Sequence, residues 1–377
     1  MIKIILAFIL LSSLSVAKGQ YVNIPDSNFR YALISQGFAS CFDITQTMLD
    51  TTCSGILDSS RLNVSGKGIT SLEGVQYFKH LTVLYCSHNR LTLLPKLPDS
   101  ISGLYCFANQ IGSLPQLPNG LKVIDVSSNS VHSLPSLPES LISLDCAGNP
   151  IDSFPSLPNS LNGFSCGGFR IRYFPSLPAS LRFFWCIGGG LDSLPLLPDS
   201  LASLKCAHNN LIELLPLPSN LSQLDCGYNQ LNYLPALPDS LVFFYCNNNP
   251  QLSCLPHLSR IVYLDLDSTA IRCLPNRGNI TQSYPSIILP ICSSPCYPLG
   301  IQESFDTDIK IYPNPTTDKL YISNLPSNSM VNLCDMTGRI LSTSIGQEID
   351  VSALPVGVYF LRIQTGKGLV VKKFVKE

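Results

Sequence analysis

Residues 191–210 read LDSLPLLPDSLASLKCAHNN, residues 211–230 read LIELLPLPSNLSQLDCGYNQ, and residues 231–250 read LNYLPALPDSLVFFYCNNNP. One frame, LxxLxCxxNxLxxLPxLPxS, runs through all three. Leu204, Cys206, Asn209 and Leu211 occupy the places of Leu224, Cys226, Asn229 and Leu231. Self-similarity at a fixed short period is the mark of a solenoid, in which each copy buries its apolar side only against the next. The LxLxC run alternates, so Leu204 and Cys206 are expected to face inward and Lys205 and Ala207 outward. The Asn that follows lies where the chain turns, and its amide can serve backbone groups there. The LPxLPxS half has no helical spacing, and its prolines fix φ and lack a donor, which suits an extended return on the convex side.

The second apolar residue of each copy falls at Leu62, Leu84, Leu104, Ile124, Leu144, Phe164, Phe184, Leu204, Leu224, Phe244 and Leu264. The expected fold is therefore a parallel β solenoid with an extended, proline-rich convex side and little helix. The frame resembles the leucine-rich repeat in its short, twenty-residue bacterial form. The strands are then expected to line the inside of a horseshoe, with the proline-rich segments outside.

The chain has 377 residues, a formal net charge of −1 and 13% charged residues. This balance gives no electrostatic case for nucleic acid or an anionic membrane. Of its 15 cysteines, Cys86, Cys106, Cys146, Cys166, Cys186, Cys206, Cys226 and Cys246 share one frame position, with Val126 filling the gap. Val in the same place marks them as small buried apolar side chains, a packed thiol column without metal. The five histidines stand apart from any nucleophile or paired carboxylate, and no HExxH, P-loop or GxSxG occurs. No catalytic set, metal site or cofactor is expected, and the chain reads as a binding protein, not an enzyme. A structural spacer or adhesin stalk is the alternative, with an enzyme further behind.

Residues 1–19, MIKIILAFILLSSLSVAKG, place a lysine before a short apolar run and then small residues. That is the pattern of a secretory signal peptide, and no later segment is apolar enough to span a bilayer. Residues 20–60 read as an N-terminal cap, with Asp26 or Ser27 opening a short helix and Gly37 stopping it. Repeats fill 61–275, and 276–308 form a C-terminal cap and linker. In an exported chain the cysteines outside the column are disulfide candidates: Cys41 and Cys53 in the first cap, and Cys254, Cys273, Cys292 and Cys296 in the second, where three pairings are open. Two of the middle copies lack the turn Asn and carry Phe169 and Gly189 instead, within CGGFR and CIGGG. Drift in a tolerant loop explains this; a local bulge beside a ligand site is the sharper alternative.

From 309 the prolines thin out and short alternating segments appear, the pattern of a small antiparallel β-sandwich. IYPNPTTDKLYI, then DMTGRIL, then LPVGVYFLRIQTGKGLVVKKFVKE, resemble the C-terminal sorting domain of the type IX secretion system. The matching positions are Tyr312, Pro313, Asn314 and Pro315, then Gly338 and Arg339, then Gly357 and Tyr359, with Lys372, Lys373 and Lys376 on the closing strand. Cys334 departs from the family's bulkier residue. The resemblance implies recognition of residues 309–377 by the secretion machinery, and a mature protein secreted from, or held on the outer surface of, a Gram-negative bacterium.

The outward strand residues form columns on the concave face. One reads Tyr85, Tyr105, Asp125, Asp145, Ser165, Trp185, Lys205, Asp225, Tyr245, Asp265. Its neighbours add Phe183, Phe243 and Tyr263 on one side and Phe107 and Ile187 on the other. Tyr and Trp combine large area with a polar handle. The aromatic set Tyr85, Tyr105, Phe107, Phe183, Trp185, Phe243, Tyr245 and Tyr263 is thus the candidate binding site for an extracellular protein or glycan. The alternative is that these rings merely cover one another across the sheet.

Overall fold

The computed structural model describes residues 21–168, 174–276, 280–285, 289–292, 309–326, 329–335, 340–344, 346–365 and 368–377. The signal segment 1–19, Phe169, Gly338, Arg339 and all of 293–308, Cys296 included, lie outside the described residues.

The solenoid is a parallel sheet of twelve strands in strict chain order, from Arg61–Asn63 to Gln282–Tyr284. Register is kept from copy to copy: Leu62 pairs with Leu84, Leu204 with Leu224 and Phe244 with Leu264. Strands this short cannot stand alone; stacking about 4.8 Å apart gives each backbone a neighbour on both sides. The inward positions Leu204, Cys206, Leu224 and Cys226 are fully buried. Ala207, expected to face out, is buried at 6% exposure; one methyl does not rise above the backbone of a curved inner face. The twelfth strand lies in the segment read as cap. It carries no LxLxC pattern and joins through its backbone, with Gln282 beside Tyr263 and Tyr284 beside Asp265.

The turn asparagines are buried and fully used. Asn209 Oδ1 accepts from Leu191 N at 3.0 Å, and its Nδ2 donates to Cys186 O at 2.8 Å and Cys206 O at 3.0 Å. Asn149, Asn229 and Asn249 repeat the pattern. Each amide thus ties its own coil to the one before it. A second ladder runs on the return side, where Ser160, Ser180 and Ser200 Oγ donate to Leu141, Leu161 and Leu181 carbonyls, each at 2.7 Å. The proline segments end in tight turns, such as Leu201 N to Pro198 O at 3.0 Å.

At Gly189 the amide ladder is interrupted, and the sheet answers by lengthening. Strands Gly163–Gly167 and Phe183–Ile187 run five residues, adding the pairs Cys166–Cys186 and Gly167–Ile187 without a register shift. Over the described residues of this pair the register does not shift, and Phe169 lies outside them. Gly167 has φ +145°, and a Cβ there would lie 2.0 Å from Ile187 O; only glycine permits this close pairing.

Asp26 caps the helix Ser27–Ser35, accepting from Phe29 N at 2.8 Å, and Gly37 follows its end at φ +97°. Cys41 is bonded to Cys53 and Cys273 to Cys292. Cys254 is also disulfide-bonded.

The C-terminal segment has its own buried cluster, including Ile309, Leu320, Val331, Leu361 and Phe374. It forms two antiparallel sheets. One holds Lys310–Tyr312, Lys319–Ser323 and Glu348–Asp350; the other holds Ile340–Ser344, Met330–Cys334, Gly357–Thr365 and Gly368–Lys376, in that order.

Candidate functional site

The concave face does not present its aromatic residues as one continuous stripe. They fall into three groups. At the N-terminal end Tyr85 and Tyr105 stack at 4.8 Å with 10° between their planes, and Phe107 meets His88 edge-on at 4.7 Å. Toward the C-terminal end Tyr245 and Tyr263 lie 5.1 Å apart, with Phe243 on the same strand as Tyr245. Phe183 and Trp185 form the centre. By strand spacing Trp185 stands roughly 19 Å from Tyr105 and roughly 14 Å from Tyr245, so the groups do not touch.

Mutual cover holds for the tyrosine pairs, which are half-buried. It does not hold at the centre. Phe183 is 41%, Trp185 36% and Ile187 40% exposed, with Phe243 at 42% in the next group. Ile187 completes an apolar ridge along the strand Phe183–Ile187, whose alternate residues all face out. Alternation places Ile187 in the outward column with Phe107, but the candidate set, built from aromatic rings, does not contain it.

The ridge has low ground on one side and a serine and a lysine on the other. One neighbouring strand offers Gly163, Ser165 and Gly167. The other pairs Ser203 with Phe183 and Lys205 with Trp185. Trp185 Nε1 donates to Ser203 Oγ at 3.2 Å, and Lys205 Nζ lies 4.5 Å from the indole centroid. The indole is thus oriented at its edge and has a cation on one face, an arrangement stabilising by about 0.5–1 kcal/mol where exposed.

Carboxylates flank the centre. Asp125 and Asp145 sit side by side in register. Asp125 Oδ1 accepts from Ser127 Oγ at 2.7 Å, and Asp145 Oδ1 accepts from Ala147 N at 3.1 Å. Burial pushes the Asp145 carboxyl up, and the charge of Asp125 adds to this. Burial likewise raises Asp225 and Asp265. Among the described residues no group of three or more His, Cys, Asp or Glu gathers with metal-binding geometry.

In the tail, the residues matched to the sorting signal come together from both ends of the segment. Tyr312 is exposed and stacks on Tyr321 at 6.0 Å. Asn314 bridges to the final strand, its Nδ2 donating to Lys373 O at 3.1 Å and its Oδ1 accepting from Val375 N at 2.9 Å. Pro313 and Pro315 flank it. Gly357 opens the strand Gly357–Thr365, on which Tyr359 is buried against Phe374 and donates to Pro355 O at 2.9 Å. Lys373 is exposed, Lys372 half-buried and Lys376 buried. Cys334 is buried.

Residues 310–377 match the family of the secretion system C-terminal sorting domain. No curated protein has a matching sequence. Among solved structures, YopM from Yersinia enterocolitica is 28% identical over 61% of this chain and 66% of its own, with a TM-score of 0.42. The leucine-rich-repeat domain of a Shigella effector is 28% identical over 40% of this chain and 70% of its own, with a TM-score of 0.36. The functional domain of InlJ from Listeria monocytogenes, described as including a cysteine ladder, is 17% identical over 95% of this chain and 98% of its own, with a TM-score of 0.47. The repeat architecture itself rests on the strand register and amide ladder above. A tail of this family marks a protein secreted from, or displayed on, the outer surface of a Gram-negative cell. The chain carries a leucine-rich-repeat solenoid followed by a secretion system C-terminal sorting domain.

Proposed function

We propose that this exported protein is a binding protein without catalysis, and that it engages an extended extracellular partner through the concave face of its solenoid. The observation that carries this is the exposed ridge Phe183–Trp185–Ile187, apolar along its whole outward side and bordered on one side by the small residues Gly163, Ser165 and Gly167. Three exposed apolar residues in one row are costly in water unless something covers them. Tyr, Trp and Phe also supply the anchoring area typical of binding hot spots. The separate groups at Tyr85/Tyr105 and Tyr245/Tyr263 lie along the same face, so a chain-like partner meets more than one of them. The stacked tyrosines favour a second reading for their own coils, a spacer in which rings cover rings.

The test is a pull-down from the extracellular fluid and cell envelope with the purified full chain and its Trp185→Ala variant. The expected loss is at least about 2 kcal/mol of binding for a hot-spot residue, while the convex change Ser136→Ala leaves capture intact. Normal capture by the Trp185 variant together with failure of a convex variant would move the functional face to the other side.

A further inference from the structure

We infer, resting on the concave-face reading above, that the partner segment is a polypeptide in which a Lys or Arg neighbours an apolar or aromatic residue. The apolar residue lies in the trough over Gly163 and Ser165, against the free flank of Trp185, and the cation reaches Asp145 and Asp125.

Shape comes first. Outward side chains on one strand repeat about every 6.6–6.8 Å, which is also the spacing of alternate side chains in an extended peptide. The ridge Phe183, Trp185, Ile187 and the trough of Gly163, Ser165 and Gly167 run side by side along that direction. A peptide laid in the trough meets the three ridge residues in step. The glycines leave its floor without side chains.

Charge comes second. The outward column through Trp185 holds Asp125, Asp145, Asp225 and Asp265 against the single cation Lys205, while the whole chain has a formal charge of only −1. This column is therefore more acidic than the molecule. Lys205 is placed over the indole, on the side toward Asp225. On the other side, the described ion pairs Lys319–Glu348 and Arg362–Glu213 leave Asp125 and Asp145 out. Two adjacent carboxylates repel each other, and burial of Asp145 sharpens that cost. A cation arriving between them relieves both effects. It would sit one to two strands beyond the trough, within reach of a Lys or Arg side chain whose neighbour occupies the trough.

Lys205 Nζ already covers one face of Trp185, and the ring nitrogen is engaged by Ser203. The occupant is therefore confined to the trough-side face, where the nearby carboxylates Asp145 and Asp125 favour a peptide carrying a cation over a neutral sugar ring.

The experiment uses the purified full chain and fluorescently labelled ten-residue peptides of Gly and Ser carrying a central Lys-Phe-Lys, Glu-Phe-Glu or Lys-Ala-Lys, with a neutral hexose oligosaccharide as a fourth probe. Anisotropy should show binding of the Lys-Phe-Lys peptide at least tenfold tighter than of the Glu-Phe-Glu and Lys-Ala-Lys peptides. Asp125→Asn with Asp145→Asn should weaken it about tenfold, 1 M salt should do the same, and Trp185→Ala should abolish it. If peptides bind regardless of charge, or the oligosaccharide binds best, and Trp185→Ala still removes the signal, the cationic assignment is wrong while the concave reading stands. Binding untouched by Trp185→Ala overturns both. Absence of binding by every peptide also counts against the inference. Circular dichroism of each variant separates loss of contact from loss of fold.

Discussion

The side chain of Asn314 takes the place of a neighbouring strand for Lys373, accepting Val375 N at 2.9 Å and donating to Lys373 O at 3.1 Å. Thr316 continues the contact, its N–H donating to Val375 O at 2.9 Å. Two sequence blocks about sixty residues apart are thereby one surface, and the outer edge of the last strand is covered where Asn314 and Thr316 lie. An uncovered edge is an invitation to unwanted pairing.

Replacing Asn314 with Ala removes both side-chain bonds. Each is solvent-exposed, so the expected cost to the tail is about 1–2 kcal/mol from two ordinary hydrogen bonds. Amide exchange at Val375 should accelerate, since its proton loses its acceptor. Lys373→Ala should leave that protection unchanged, because only the backbone of Lys373 takes part. Unaltered Val375 protection in the Asn314 variant would refute the latch.

The amide ladder makes a sharper prediction in the solenoid. In Asn209→Ala the buried groups Leu191 N and Cys186 O lose their partner. Each orphaned buried group costs about 1–3 kcal/mol, so the midpoint of urea unfolding should fall clearly. Asn210→Ala, next in sequence but exposed, should stay within about 0.5 kcal/mol. The natural gap at Gly189 does not predict tolerance, because there the strands lengthen to compensate. That compensation depends on Gly167. Gly167→Ala should be destabilising and should open the extra pairs Cys166–Cys186 and Gly167–Ile187, seen as faster exchange at Gly168 N, which donates to Ile187 O.

The ladder and the inward column were legible because a strict period repeats both. The backbone strain beside them was not. His88, Ala108, Ser128, His208, Tyr228, Asn248 and Ser268 all have φ between 52° and 57°, although Ala, Ser and Tyr give no local sign of a left-handed conformation. The turn imposes it, and only Gly148, Gly168 and Gly188 in the same frame hint at it. The twelfth strand was hidden for a related reason: Gln282–Tyr284 pairs through its backbone and has no apolar pattern to read. At the site, alternation identified which side chains face out, but not that Tyr85 would stack on Tyr105 while Phe183 stayed exposed. That difference follows from what the adjacent strand offers, a second tyrosine in one case and Gly163 or Ser203 in the other.

The thiol column should be silent to alkylation in the folded protein. The described residues include nine free cysteines, all buried: the eight of the column and Cys334. Burial pushes the thiols of Cys166, Cys206 and Cys226 well above the ordinary value, and a thiol, unlike a thiolate, is a poor nucleophile. Iodoacetamide at pH 8 should label none of these in the native state and all of them in guanidinium. Rapid native labelling of Cys146 or Cys206 would contradict the inward register.

The N-terminal cap should respond to acid through Asp26. Burial pushes this carboxyl up, but hydrogen bonds from Thr70 Oγ at 2.6 Å and from Phe29, Thr70 and Ser71 N–H groups outweigh it and hold the group below 3.8. A depressed folded value means the folded state binds fewer protons, so the contribution is present above pH 3.8 and is lost as pH falls through the folded value. Asp26→Asn should therefore be less stable than the wild type at pH 7, and the difference should shrink as pH falls below 3.8. A difference that stays constant across that range would show that the carboxylate charge has no part in holding the cap.

Removal of the tail should separate delivery from folding. The solenoid cluster runs from Ile24 to Ile271 and the tail cluster from Ile309 to Phe374, with no residue in common. Across the two, Arg362 pairs with Glu213, which also accepts from Tyr233 Oη. That pair is partly exposed, at 22% and 30% of the two side chains, so its loss is worth little to the solenoid, about 0–1 kcal/mol. A chain ending at residue 308 should keep the urea midpoint of the solenoid and its Asn-ladder amide protection, yet remain in the periplasm, because the family of residues 310–377 is a sorting domain. Fractionation of cells expressing the truncated and full chains reads the second outcome, and unfolding of the purified truncation reads the first. Delivery of the truncation to the surface would show that the address lies elsewhere in the chain. A collapsed midpoint with delivery intact would show instead that the tail is a structural support for the repeats.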